Sequence, residues 1–147
     1  MQLSIYFSLE ELIYSSTGAR LGIDNTPSLE IINNLTALAV NVLDPLRVIV
    51  NQPIHVDSAY RCPELNAAVG GEHNSQHLPG QAADLIVPGI DVLTFNQIIR
   101  NPANKIPFDQ LINEYGRWNH VSYNPNAAGR KMCLKINKGT GYVGDPD

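Results

Sequence analysis

Residues 75–87 read Ser-Gln-His-Leu-Pro-Gly-Gln-Ala-Ala-Asp-Leu-Ile-Val. From Ala82 to Val87 every residue is apolar except Asp84, and this run predicts a buried strand. A carboxylate in such a strand is costly unless a metal ion, backbone amides or an arginine compensates its charge. The Pro-Gly turn before the strand can fold His77 back beside Asp84. The stretch therefore offers one core strand and two candidate metal ligands.

The elements on either side of this strand are mostly helices before it and mostly strands after it. Before it, the predicted elements are a helix capped by Ser8 and Glu11 that stops near Gly18, a longer helix from Thr26-Pro27 that bends or ends at Asp44-Pro45, a strand at Ile54 to Ser58, and a short helix after Pro63. After it, they are a helix from Asp91 to about Arg100, strands at Gln110 to Glu114 and Trp118 to Tyr123, and a last strand through Met132, Leu134 and Ile136. This order indicates an α+β fold with a small antiparallel sheet and helices packed on one side.

The composition is that of one globular domain, residues 1–147. The hydrophobic fraction is 44% and the charged fraction is 16%, which excludes a disordered chain. The net charge of −4 comes without a basic stripe, so no nucleic-acid partner is expected. The apolar runs are too short to span a bilayer, so no membrane partner is expected either. Residues 137–147 are rich in glycine and are predicted to form a loose tail.

The N-terminus and the cysteines limit the cellular setting. The first residues lack the basic start and apolar core of a signal peptide. The chain is therefore expected to be made in a cytoplasm, with any export helped by another component. Cys62 and Cys133 lie far apart and form no CxxC pair, which excludes a Cys-rich zinc site. Two free thiols are the expectation, and a disulfide between them stays open.

A third candidate metal ligand lies in a later predicted strand. His120 is a polar residue among apolar neighbours in the segment Trp118 to Tyr123. Two imidazoles and one carboxylate from separate elements would leave one tetrahedral position open, as a catalytic zinc requires. Each residue alone also has a structural explanation, because histidines in strands are often only hydrogen-bonded and buried aspartates often pair with arginine. The residues alone leave a zinc site and a structural cluster as alternatives.

Three motifs in this order resemble a known family. They are Ser-Ala-Tyr-Arg-Cys-Pro-Glu-Leu-Asn at residues 58–66, Ser-x-His followed by Asp at residues 75–84, and Trp-x-His-Val-Ser at residues 118–122. Together they resemble the M15 family of metallopeptidases, the group of D-alanyl-D-alanine carboxypeptidases and endolysins, over about Phe7 to Tyr123. The resemblance implies the hedgehog/DD-peptidase fold and one Zn2+ per chain. It also implies His77, Asp84 and His120 as the zinc ligands.

The resemblance further implies residues for catalysis. Many M15 relatives carry the general base three positions before the last histidine, but Arg117 occupies that position here and cannot accept a proton. Glu114 is the nearest acid, and we expect the turn after it to bring it back toward His120. Arg61 is the candidate for binding a substrate carbonyl or the developing oxyanion. Ser75 matches a position that contacts substrate in the family. The alternatives are a solvated carboxylate for Glu114, a salt bridge for Arg61 and a loop cap for Ser75.

Two other histidines compete with the predicted ligands. His73 and His77 have the spacing of a helical metal pair, but the glycines before them and Pro79-Gly80 after them favour a loop. His55 lies on the opposite side of its predicted strand from Val56, so it can face either the site or solvent. Neither His73 nor His55 is included in the predicted ligand set.

These observations predict a zinc-dependent peptidase that hydrolyses peptidoglycan stem peptides, either as a carboxypeptidase or as an endopeptidase. By analogy with the family, we expect a monomeric, endolysin-like enzyme that acts on the cell wall after release or is carried in a phage particle. An alternative from a different class is a catalytically inactive, zinc-containing module that binds cell-wall peptide. A third is a structural zinc domain, in which His73 would close the site. A Glu114 side chain far from the metal ligands would favour the binding module.

Overall fold

The computed structural model describes residues 1–146. The helices are α1 (Leu9–Ile13), α2 (Ser16–Leu21), α3 (Leu29–Leu38), α4 (Asp44–Val50), α5 (Pro63–Ala68) and α6 (Val92–Arg100). The strands are β1 (His55–Ser58), β2 (Ala82–Ile86), β3 (Gln110–Glu114), β4 (Trp118–Ser122), β5 (Met132–Asn137) and β6 (Gly141–Gly144). They form one sheet in the order β1-β2-β4-β3-β5-β6. The structure confirms the predicted α+β class. None of the helices in this part of the chain is both long and apolar enough to cross a membrane.

The sheet is antiparallel at every pairing except that of β3 with β5. The prediction of an antiparallel sheet is therefore wrong for this one pair. β3 and β4 form a hairpin, and the chain after β4 returns to the start of β3, where Met132 N–H donates to Asp109 O at 2.9 Å. β5 then runs in the same direction as β3, with Gln110 opposite Met132. A long connection permits this parallel pairing, which a tight hairpin cannot make.

The two faces of the sheet have different neighbours because successive side chains point to opposite sides. One face packs on the helices and forms the core, which includes Ala83, Leu85, Leu111 and Val121 from the strands. The core residues of the helical part are Phe7, Leu12, Leu35, Leu38, Ala39, Val42, Leu43, Leu46, Phe95 and Ile99. The other face carries Asp84, His120 and Ile112 in one row, because Asp84 is opposite His120 and His120 is opposite Ile112. The row that contains Asp84 and His120 thus lies on the face that does not form the core.

The helix caps follow the sequence in part. Ser8 Oγ accepts a hydrogen bond from Glu11 N–H at 3.2 Å, which confirms the predicted first cap. Asp91 Oδ1 accepts from Thr94 N–H at 2.8 Å, which confirms the cap of α6. The predicted single first helix is instead divided, because Ser15 caps a second short helix, α2. The long helix starts after Ser28 rather than at Thr26-Pro27, since the Ser28 side chain accepts from Ile31 N–H.

Pro45 neither ends nor breaks the long helical segment. A π-helical turn, Ala39–Leu43, joins α3 to α4, and Asp44 N–H donates to Ala39 O. Proline has no N–H to donate, and its ring clashes with the carbonyl four residues earlier in a regular helix. A wider turn just before the proline removes that conflict. The helix therefore continues to Val50.

The tail was predicted to be loose from Asn137, and the structure corrects this. Gly141–Gly144 form β6, which pairs with β5 in an antiparallel hairpin. The connection uses Gly139 (φ 82°) and Gly141 (φ 65°), so the glycines that indicated a loose tail supply the turn. Arg100 Nη1 lies 3.6 Å from Asp145 Oδ2, which attaches the end of the hairpin to α6.

Candidate active site

The loop before β2 carries His77 into the interior. Gly80 has φ 75°, and a Cβ on it would lie 2.9 Å from Ile31 Cγ2, so only glycine fits this turn against α3. His77 is 1% exposed, and its Nδ1 lies 2.6 Å from Ala59 O. A carbonyl oxygen only accepts, so Nδ1 carries the proton and Nε2 keeps a free lone pair. His77 Nε2 lies 3.3 Å from Asp84 Oδ1.

Asp84 and His120 meet because they are direct partners on adjacent strands, β2 and β4. His120 Nδ1 lies 3.1 Å from the same oxygen, Asp84 Oδ1. The rings of His77 and His120 are in edge contact, with centroids 4.9 Å apart. The fractional exposures of Asp84 and His120 are 7% and 6%. Three potential ligand atoms, one from each residue, lie within 4.8 Å of one another.

This group fits a tetrahedral metal ion. Ligand atoms about 2.0–2.2 Å from one zinc lie roughly 3.3 Å from each other, and the two contacts to Asp84 Oδ1 are 3.3 and 3.1 Å. The hydrogen bond from His77 Nδ1 to Ala59 O orients the imidazole through its other nitrogen, as metal-ligating histidines require. Within residues 1–146, no other group of three or more histidine, cysteine, aspartate or glutamate side chains is placed to hold a metal ion.

The charges in the group favour the forms that bind metals. Burial acts to raise the pKa of Asp84, but His77 and His120 outweigh it and hold that pKa well below its usual range. Burial lowers the pKa of His77, which keeps this imidazole neutral. An ionised carboxylate and a neutral imidazole are the states in which these side chains bind a cation.

Glu114 ends β3 and faces the same side of the sheet as His120. Its Oε1 lies 3.6 Å from His120 Nδ1, and its Oε2 accepts a hydrogen bond from Trp118 Nε1 at 3.2 Å. Tyr115 (φ 60°) and Gly116 (φ 66°) form the tight turn that returns the chain from β3 to β4. Burial raises the pKa of Glu114, and the nearby Asp84 charge adds to the shift. The turn thus brings Glu114 beside the candidate metal-binding group of His77, Asp84 and His120.

A cavity of about 410 Å³ opens onto these side chains. It is lined by Arg61, Glu72, Asn74, Ser75, Gln76, His77, Gln110, Ile112, Glu114, His120, Arg130, Leu134 and Tyr142. Arg61 is partly buried, and its Nε has no hydrogen-bond partner in the described structure. Ser75 Oγ accepts from His77 N–H at 3.1 Å, so Ser75 also supports the loop. The structure therefore brings Arg61, Ser75 and Glu114 to one cavity with His77 and His120, and Asp84 contacts both of these histidines.

The competing histidines lie elsewhere. The exposed side chain of His55 is 3.8 Å from Asp57 on the same strand. His73 is exposed and does not join the metal-ligating group. A structural zinc site closed by His73 therefore has no support in the geometry. Both Cys62 and Cys133 are free thiols, as expected. Cys62 caps α5, with Leu65 N–H donating to its Sγ at 3.4 Å.

Sequence reasoning missed eight of the residues that line the cavity. They are Glu72, Asn74, Gln76, Gln110, Ile112, Arg130, Leu134 and Tyr142. Leu134 and Tyr142 belong to the β5–β6 hairpin, and register places them on the same face as Ile112 and Glu114. The alternation of residues in β5 indicated a strand. No local pattern indicated that β5 would pair with β3, or that β6 would place Tyr142 at the cavity.

A family profile described as Peptidase M15 matches residues 5–122, which is most of the chain. The chain belongs to the Peptidase M15 family. Membership identifies this M15 protein as a metallopeptidase by class, and its His77–Asp84–His120 group could hold the metal ion. M15 peptidases are generally zinc-dependent, and the group has ligand types that zinc accepts. No curated protein matches the chain.

Proposed function

We propose that this chain is a zinc-dependent peptidase that hydrolyses peptidoglycan stem peptides, with Glu114 as the general base. The observation that carries the proposal is the position of Glu114 Oε1, 3.6 Å from His120 Nδ1 at the edge of the metal-ligating group. Membership of the Peptidase M15 family supports peptide hydrolysis. The polar cavity beside the group supports a peptide as the ligand, since amide groups need hydrogen-bonding partners.

In the proposed reaction, His77, Asp84 and His120 would hold a zinc ion, which would lower the pKa of a water molecule and polarise a carbonyl. Glu114 accepts the proton of the attacking water and transfers it to the leaving amine. The raised pKa of Glu114 makes its carboxylate a stronger base, which suits the step in which it accepts the proton of the water. Trp118 Nε1 binds Glu114 Oε2, which leaves Oε1 directed toward the group.

Arg61 is proposed to stabilise the negative charge that develops on the carbonyl oxygen. It lines the cavity, and the Asp84 and Glu114 charges counteract the lowering of its pKa by burial, so it stays cationic. The Nε without a partner is a donor that a substrate oxygen can satisfy. Ser75 is proposed to contact the substrate where it lines the same cavity.

The binding-module alternative predicts a Glu114 far from the ligands, and the 3.6 Å contact favours the enzyme instead. The setting on the cell wall, after release or from a phage particle, remains part of the proposal. The test is the release of new amines from purified peptidoglycan by zinc-loaded protein. Glu114→Gln should keep about one zinc per chain and lose activity by about 10²–10⁴-fold. Equal activity in wild type and Glu114→Gln would remove Glu114 from the mechanism. No activity in zinc-loaded wild type would favour the binding module.

A further inference from the structure

A second charged cluster lies at the cavity, which its members Arg130 and Gln76 line, and the proposed reaction does not use it. Asp109 is 6% exposed and lies just before β3, at the opposite end of that strand from Glu114. Its carboxylate accepts from Nε and Nη2 of Arg130 at 2.8 and 2.9 Å. The Arg130 backbone N–H also donates to it, at 3.1 Å. This paired contact fixes the plane and the direction of the guanidinium.

The contact with Asp109 leaves one edge of the Arg130 guanidinium available. Arginine has five N–H donors, and Asp109 takes one from Nε and one from Nη2. The remaining donors lie on Nη1 and on the other side of Nη2, in the paired geometry that suits a carboxylate. Arg130 lines the cavity, and its side chain is 54% exposed. A molecule bound in the cavity can therefore reach this edge.

A buried acceptor lies next to this arginine. Gln76 Nε2 donates to Asp109 Oδ2 at 3.1 Å, the same oxygen that Arg130 Nη2 binds. Because an ionised carboxylate only accepts, this contact determines which end of the Gln76 amide is the nitrogen. Gln76 Oε1 is then a buried acceptor without a partner in the described part of the chain. An unmet buried acceptor is costly, and an N–H of a ligand in the cavity would satisfy it.

The cluster lies within reach of a peptide bound at the metal-ligating group. Ile112 is opposite His120, and Asp109 is three residues before it. That separation is about 10 Å along an extended strand, which is the length of about three residues of extended peptide. A peptide whose reacting carbonyl lies beside His120 can thus place a residue about three positions away at Arg130.

The cluster also belongs partly to a segment outside the family match. The match ends at residue 122, and three cavity residues, Arg130, Leu134 and Tyr142, lie beyond it. The three candidate ligands and Glu114 all lie inside it. The later segment is therefore where this chain can select a substrate without altering the proposed chemistry.

We infer that Arg130, held by Asp109, binds a free carboxylate of the peptide substrate while Gln76 Oε1 accepts the N–H of the adjoining amide. Since this assignment rests on the proposed function, the ligand is a stem peptide or a fragment of one. Such a peptide has an α-carboxylate next to an amide N–H at its C-terminus and at a γ-linked D-glutamate. Both sources present the same chemistry to Arg130.

The test compares three synthetic peptides. They are L-Ala-γ-D-Glu-L-Lys-D-Ala-D-Ala, its C-terminal amide, and the form amidated at the α-carboxylate of D-Glu. Binding to the full-length, zinc-loaded Glu114→Gln protein is measured by titration calorimetry, because that variant should not hydrolyse the peptide. One amidated form should bind about 10- to 100-fold more weakly than the free acid, since it loses a charge-assisted contact. That form identifies which carboxylate Arg130 binds.

When Arg130→Gln is introduced into the Glu114→Gln protein, the free-acid peptide should bind about 10- to 100-fold more weakly. The free acid and the weaker-binding amidated peptide should then have equal affinities. Arg20→Gln, which removes an exposed arginine of α2 that does not line the cavity, is the matched control and should change neither affinity. Arg130→Gln leaves the buried Asp109 charge without its partner, which can prevent folding. In that case the double variant Asp109→Asn/Arg130→Gln is used instead, because it removes the Asp109 charge as well.

Equal affinity for the acid and both amides would overturn the inference, and so would an equal loss for all three peptides on Arg130→Gln. Absence of binding by all three would overturn it too. Amine release by the wild type is measured separately, so a failure of the proposed hydrolysis is distinguished from a failure of carboxylate recognition.

Discussion

Two buried aspartates, Asp84 in β2 and Asp109 just before β3, are compensated in different ways. Asp84 is held by two histidines, and burial keeps the His77 imidazole neutral. Asp109 is held by a cationic arginine and an amide. A buried charge needs an opposite charge or strong hydrogen bonds nearby. Asp109 has its cation within the chain, whereas Asp84 is proposed to be compensated by a metal ion, so metal removal should destabilise the Asp84 region and leave the Asp109 region unchanged.

The largest expected effect is the loss of zinc when a histidine that contacts Asp84 is removed. His77→Ala or His120→Ala should lose most of the zinc and, with it, nearly all hydrolysis, because two ligands cannot hold zinc tightly. Asp109→Asn should keep about one zinc per chain. Metal analysis of the purified variants checks this, and full zinc retention in the His77→Ala/His120→Ala double variant would refute the ligand assignment.

Metal removal should come next in size. A chelator should lower the melting temperature of the wild type by on the order of 10 °C, because the ion binds the folded state and compensates Asp84. Asp84→Asn should shrink that shift, and Asp109→Asn should leave it unchanged. Calorimetric scans with and without chelator measure both. An unchanged melting temperature in protein that starts with zinc would mean that Asp84 has another partner.

Acid should weaken the Asp109 region. The Arg130 hydrogen bond lowers the pKa of Asp109 to about 2, below the ~3.9 expected in an unfolded chain. A lowered folded pKa adds stability above the unfolded pKa and loses it as pH falls through the folded one. The stability difference between wild type and Asp109→Asn should therefore shrink from about pH 4 toward pH 2. Urea unfolding across this range measures it, and a constant difference would contradict the ion pair.

The smallest effect concerns the support of Glu114. Trp118→Phe removes the N–H that binds Glu114 Oε2 but keeps the ring packing. Turnover should fall about 5-fold, the value of one ordinary hydrogen bond, with KM and zinc content unchanged. Arg117→Ala in the exposed turn is the matched control and should have no such effect. An equal loss in both variants would mean that the turn as a whole, and not the indole N–H, positions the carboxylate.

The sequence predicted the Asp84 region better than the Asp109 region for a physical reason. Asp84 interrupts an apolar strand, so the free-energy cost of burying its carboxylate can be recognised from the residues next to it in the sequence. Asp109 and Arg130 are separated by 21 residues, and their contact depends on the parallel pairing of β5 with β3. Local patterns indicate which segments form strands but not which distant strands pair.

The same distinction applies to the helices. Ser8 and Asp91 were predicted as caps because a cap depends on only three or four residues. The sequence allowed the long helix to continue from Leu46 to Val50, but it did not indicate the π-helical turn just before Pro45, because no local pattern marks such a turn. The three candidate ligands were identified through the order of the motifs, and their separate positions became one group only through the pairing of β2 with β4.

The hairpin of β5 and β6 also protects the sheet from association. An unpaired strand edge can recruit a strand of another molecule. At one edge, the exposed β1 residues His55 and Asp57 put polar groups where another strand would dock, and at the other the short β6 contains glycines at both ends. Without the hairpin, β3, which carries Leu111 and Ile112, would be the edge instead. The segment after residue 130 therefore also covers an edge of β3 that another strand could otherwise pair with.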